Sequence, residues 1–162
     1  MTSSDGLLAE HLKVTFPRSG ETPFHAVNDV SLTLKTGEAL GIVGESGSGK
    51  TMTALSMLGL VPQPGEITGG AITLQGEPLA GLSEKALQRR RGRDIGMIFQ
   101  DPMTSLNPVR RVGSILVESV RRHNTTSKSD ARKTALQALK DVGVPSPEQR
   151  LDAYPHELSG GL

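Results

Sequence analysis

Apolar and polar positions alternate over residues 8–16 and again over 30–34, which predicts two strands. Between them, PRSGETPFHAVND reads as a turn-rich loop. GEALGIVG then carries an almost unbroken apolar run over 39–43, the pattern of a strand buried on both faces. It leads directly into a glycine-rich loop. Beyond the loop, Met52, Leu55, Met57 and Leu58 predict a helix over 50–60, ended by VPQPGEITGG. A strand is expected over 71–76, and SEKALQRRRGR opens a helix with Ser83 as its cap and Glu84 in its first turn. DIGMIFQ (94–100) is a strand ending on a polar residue, and DPMTSLNPV is a loop by its prolines and small polar residues. Helices follow over about 113–122 and 129–142, the second capped by the Ser129-Asp130 pair; VPSPEQRLDAYPHE reads as irregular, and 158–162 as the start of a further helix. The order is a β-rich segment, a β-loop-α unit and a helical stretch. It predicts an α/β nucleotide-binding core with an antiparallel β edge layer and an α-helical insertion.

Composition narrows the function classes. A length of 162 residues suits one domain with a buried core. The net charge of +1 gives no overall electrostatic argument for a nucleic-acid or acidic partner. With no cysteine, disulfides, thiolate metal sites and cysteine catalysis are excluded. The N-terminus, MTSSDGLLAEHLK, has neither the basic start nor the apolar run of a signal peptide, and no stretch approaches the roughly 18 apolar residues of a membrane span. A cytosolic chain is expected, with any membrane role supplied by a partner. Nineteen glycines and ten prolines against 2% aromatics imply many tight turns and a core of Leu, Val, Ile and Ala. RRRGR (89–93) has no interleaved aromatics and reads as a solvated helix end rather than a nucleic-acid contact. His11, His25, His123 and His156 do not form a metal-ligand spacing.

The glycine loop carries the chemistry. Gly44, Glu45, Ser46, Gly47, Ser48, Gly49, Lys50 and Thr51 match G-x-x-x-x-G-K-[ST] without a mismatch. Glycines let backbone N–H groups converge on phosphate oxygens, and the following helix directs its positive end at the same point. Lys50 supplies a cation for β- and γ-phosphates, the Thr51 hydroxyl an oxygen for Mg²⁺, and Met52 closes the nucleotide-contacting stretch. Gln100, at the end of a strand, is placed either to offer its amide oxygen to Mg²⁺ and orient an attacking water or to face solvent before a turn. In YPHELSGGL, Ser159 followed by Gly160 and Gly161 at a helix start forms a second anion-binding arrangement. One phosphate chain held between two such sites suggests two chains facing each other.

GESGSGKT, IFQDPMTSLNP and YPHELSGG, in this order and spacing, resemble the ATP-binding subunit of ABC transporters, and FQDPMTSLNP resembles the oligopeptide, dipeptide and nickel importer branch. The resemblance runs from about residue 8 to the last residue. It implies a P-loop NTPase core over about 1–100 and a helical subdomain over about 101–162. It further implies a Walker A loop at Gly44–Thr51 and a Q-loop glutamine at Gln100. Leu158, Ser159, Gly160 and Gly161 would be the signature motif, serving the opposing subunit. An aromatic ring stacks on adenine in this family; Phe16 is the better placed candidate and Phe24 the other. Mg²⁺ and ATP would be the cofactors. The implied partners are a second ATPase subunit, transmembrane permease subunits and, indirectly, an extracytoplasmic substrate-binding protein, at the cytoplasmic face of the plasma membrane. No nucleic-acid partner is expected.

The family's Walker B strand, its catalytic glutamate and its switch histidine have no counterpart in these 162 residues. The expected fold is therefore incomplete at the C-terminus, and the chain by itself is expected to be marginally stable, to bind nucleotide and to turn over negligible ATP. The competing expectations are a soluble ABC protein of DNA repair or translation, against which the compact spacing and DPMTSLNP argue, and a non-functional gene remnant.

Overall fold

The computed structural model describes residues 6–99 and 106–158. The chain forms two compact units, Met1–Ile95 and Gly96–Leu162.

In the first unit an antiparallel sheet runs in the order β2-β1-β3-β4, from β1 (Gly6–Phe16), β2 (Phe24–Lys35), β3 (Glu66–Leu74) and β4 (Glu77–Pro78). Ala9, Leu12 and Val14 of β1 are all fully buried. Ala9 and Leu12 stand three apart, so in a regular strand they would face opposite sides. A bulge resolves this: both ladders of β1 shift register after this alanine or the residue beside it, and His11 takes φ 50°. Opposite the bulge, Gly70 (φ 86°) lies so close that a Cβ would meet the Glu10 carbonyl oxygen at 2.4 Å. Val27, Ile72 and Leu74 complete the sheet's inner face, and Met57 of helix α1 (Lys50–Met57) packs onto it.

Several sequence expectations shift. β2 begins at Phe24 rather than residue 30, and β3 at Glu66 rather than residue 71, because pairing with β1 recruits residues that look like turn by composition. The helix after the glycine loop stops at Met57 rather than residue 60. The strands expected over 39–43 and 94–100 do not form among the described residues. Only an isolated bridge, Arg91 with Ile95, marks the second. Val43 is 96% exposed, so the burial on both faces expected for 39–43 is overturned; in the second segment Ile98 is 94% exposed. An apolar run is held as a buried strand only where neighbours complete its ladder, and no described segment pairs with this one.

Helix α2 (Glu84–Arg90) is capped as expected, the Ala86 N–H donating to Ser83 Oγ. Arg91, directly after it, is not the solvated helix end that RRRGR suggested. Its guanidinium donates to the carbonyls of Leu58 (2.7 Å) and Gly59 (3.0 Å), at the end of α1, and pairs with Glu84 at 2.7 Å. Arg90 pairs with Glu77, and Arg93 with Asp94.

The second unit holds α3 (Val112–His123), α4 (Lys128–Asp141), α5 (Pro147–Asp152) and a 3₁₀ turn at Pro155–Glu157. Val117, Ala131, Ala135 and Leu151 form its core. α3 and α5 approach closely at Gly113, where a Cβ would lie 2.6 Å from the Leu151 carbonyl oxygen. Two expectations are corrected here. The cap of α4 is Ser127, not Ser129, and the segment read as irregular contains α5, begun by Pro147 at its first position.

Candidate phosphate-binding site

The glycine loop connects residues 39–43, which form no strand, to α1. Its conformation needs φ of +83° at Gly47 and +89° at Gly49, the left-handed region that favours glycine. Gly49 is further constrained by position, since a Cβ there would meet the Ala26 carbonyl oxygen of β2 at 2.4 Å. β2 is thus the floor on which the loop rests. Lys50, the first helical residue, turns its ammonium back into the loop. It donates to the carbonyl oxygens of Gly44 and Glu45, both at 2.7 Å, and to Ser48 Oγ at 3.2 Å. A Cβ on Gly44 would lie 2.7 Å from that hydroxyl oxygen, so glycine keeps the ring around the ammonium open.

No side chain caps the N-terminus of α1, and no acidic residue lies in its first turn. Its earliest N–H groups therefore remain available to an anion, with the helix dipole behind them. Thr51 is exposed. Met52 packs its side chain against the sheet core, so what it offers a ligand is its backbone N–H. The cradle of glycines, free helix N–H groups and one cation suits a polyphosphate.

Phe16, at the end of β1, and Phe24, at the start of β2, face each other in register. The Phe16 ring lies against Gly65, where a Cβ would meet it at 2.5 Å, and it packs on the core. Phe24 is 46% exposed, and the Arg18 guanidinium sits 5.1 Å from its ring centroid. Neither Gly65 nor Arg18 was singled out in the sequence, since only the strand pairing and the loop fold bring them to these rings. Gln100, Ser159, Gly160 and Gly161 lie outside the described residues. Leu158 is described, half-buried, with its N–H donating to the Pro155 carbonyl at 3.1 Å. Among the described residues no group of His, Asp and Glu could hold a metal ion. No described helix is long and apolar enough to cross a membrane.

The family model for the ABC transporter matches residues 27–162. The chain belongs to the ABC transporter family. It is 46% identical over 140 residues to the dipeptide transport ATP-binding protein DppD of Escherichia coli (strain K12), covering 86% of this chain and 43% of that one. It is 49% identical over 138 residues to the oligopeptide transport ATP-binding protein OppD of Bacillus subtilis (strain 168), covering 85% of this chain and 38% of the relative. This ABC family chain thus spans less than half the length of these two relatives. The solved dimeric structure of MJ0796, a bacterial ABC transporter cassette, superposes with a TM-score of 0.78 at 26% identity, covering 96% of this chain and 64% of that one. The fold is that of the ABC ATPase cassette.

Proposed function

We propose that the chain is the nucleotide-binding part of an ATPase subunit that powers uptake of peptides or a related small solute. The observation that carries this reading is the Lys50 ammonium held inside a glycine loop at an uncapped helix N-terminus. The polyphosphate of ATP would sit over that terminus, with Lys50 leaving the Gly44 and Glu45 carbonyls for phosphate oxygens. Mg²⁺, held largely by those phosphates, would take one oxygen from Thr51 and one from Gln100. ATP bound there supplies the free energy of phosphoryl transfer to water. The residues of this chain bind and orient it. Leu158, Ser159, Gly160 and Gly161 would serve a second subunit's nucleotide, and Phe16 or Phe24 would stack on the adenine.

Similarity to peptide-transport proteins supports the transporter reading over a role in DNA repair or translation. The partners would be a second ATPase subunit and permease subunits, at the cytoplasmic face of the membrane. Equilibrium binding of ATP with Mg²⁺ tests the site. Micromolar to millimolar affinity that Lys50→Ala weakens at least tenfold is expected, and binding indifferent to Lys50→Ala would overturn the assignment.

A further inference from the structure

The second unit contains a concave groove of about 670 Å³ between α3, α4 and α5. Six cations line it: Arg110, Arg111, Arg121, Arg122, Lys128 and Arg132. Among the described residues only two carboxylates join them, Glu118 and Asp152. Both are already engaged, Glu118 by Arg110 at 2.6 Å and Asp152 by Arg132 at 3.0 Å. The Arg110 hydrogen bond holds the Glu118 carboxyl below the usual carboxylate range, and the charge of Arg122 adds to this. Arg111, Arg121, Arg122 and Lys128 have no carboxylate within ion-pair distance among the described residues. Counted over the described residues, the groove's surplus of four positive charges exceeds the net +1 of the entire chain, which leaves the remaining residues net negative. Such segregation places a strong positive potential in a concave site. A second depression of about 340 Å³ adjoins the groove and shares Arg121 and Arg122 with it. Asn124, Thr125 and Thr126 line it, adding amide and hydroxyl donors beside the two guanidinium groups.

We propose that this groove is a second anion site, separate from the glycine loop, that takes a multiply charged phosphate group. Arginine dominates its cations, and the planar guanidinium fork matches phosphate oxygens in pairs. The volume falls within the range of small-ligand sites. Among the described residues no aromatic side chain lines it, so it lacks the stacking platform with which proteins hold single-stranded nucleic acid. The phosphate has two possible sources, a free polyphosphate-bearing metabolite or the headgroup of an anionic lipid.

The test uses the full chain carrying Lys50→Ala, so that the glycine loop does not contribute. Binding of inorganic tripolyphosphate is measured by calorimetry, and binding to phosphatidylglycerol and to phosphatidylcholine vesicles by co-sedimentation. Arg121→Gln with Arg122→Gln is compared with Lys133→Gln and Lys140→Gln, which remove the same charge outside the groove. The groove variant is expected to lose about tenfold or more in affinity, and the control less than about threefold. Loss for tripolyphosphate identifies a soluble ligand, and loss for phosphatidylglycerol alone a headgroup. Either supports the site. Equal loss in both variants, no binding to either probe, or a tighter complex with single-stranded RNA than with tripolyphosphate would overturn it. Thermal melts of both variants separate lost binding from lost folding.

Discussion

Gly49 and Gly47 both hold positive φ in the phosphate-binding loop, yet their surroundings differ. A Cβ on Gly47 meets nothing within 4 Å, whereas one on Gly49 runs into the Ala26 carbonyl. Gly47→Ala is therefore expected to cost about 1–2 kcal/mol, the left-handed penalty alone. Gly49→Ala adds a backbone clash and should cost at least about 2–3 kcal/mol more, with the loop displaced from β2. Urea unfolding of the two variants measures the difference, and equal costs would refute the packing role of β2. A second residue-scale device is Arg91. Its hydrogen bond to Glu84, assisted by Gln88, lowers the Glu84 pKa below its ordinary 4.5. A carboxyl with a folded pKa below its unfolded value stabilises the fold above the unfolded value, and loses that contribution as pH falls through the folded one. Glu84→Gln should thus flatten the acid limb of the stability profile below about pH 4.5 and leave the slope near neutrality unchanged. The glycine motif was legible in the sequence because each of its residues has a local reason to be there. The roles of Ala26, Gly65 and Arg91 were not, since each depends on a partner far along the chain.

Among the elements, the cap of α4 lies two residues before the expected one for an identifiable reason. Ser127 and Ser129 both satisfy the rule for a helix cap. Only a cap at Ser127 puts an acid at the third helical position, where the Asp130 N–H donates to Ser127 Oγ at 3.0 Å and the Ser127 hydroxyl donates back to the carboxylate at 2.7 Å. A cap at Ser129 would put Arg132 there instead. Ser127→Ala should cost about 1 kcal/mol, and Ser129→Ala less than about 0.5 kcal/mol. The reverse order in thermal or urea unfolding would contradict this assignment. α5 escaped the sequence reading because two prolines and a serine announce a loop. Pro147 instead starts the helix, and burial of Leu151 at 2% exposure against α3 and α4 holds it. Leu151→Ala should therefore cost about 2–5 kcal/mol, measurable as loss of helical signal at lower denaturant. A cost under about 0.5 kcal/mol would mean that α5 does not contribute to the core.

Across the whole molecule, quantities averaged over the chain concealed what the fold distributes. A net charge of +1 reads as electrostatic neutrality, while α3, α4 and the residues just before α3 gather six cations around one groove. The apolar run at 39–43 likewise read as a buried strand, because hydrophobicity reports what a segment requires and not whether a neighbour is present. Among the described residues no neighbour is present and Val43 stands 96% exposed; Ile98, in the second segment expected as a strand, stands 94% exposed. Side chains so exposed contribute little to folding but present apolar surface to other molecules. Replacing both with serine should change the unfolding free energy by less than about 0.5 kcal/mol each. The same replacement should reduce dye binding to apolar surface and shift the concentration at which the chain self-associates upward. Sedimentation velocity over a concentration series, run beside urea unfolding, distinguishes the outcomes. A large loss of stability would mean that these residues are packed in solution and that their segments do find partners. Unchanged self-association would mean that the chain's contacts with itself lie elsewhere on its surface.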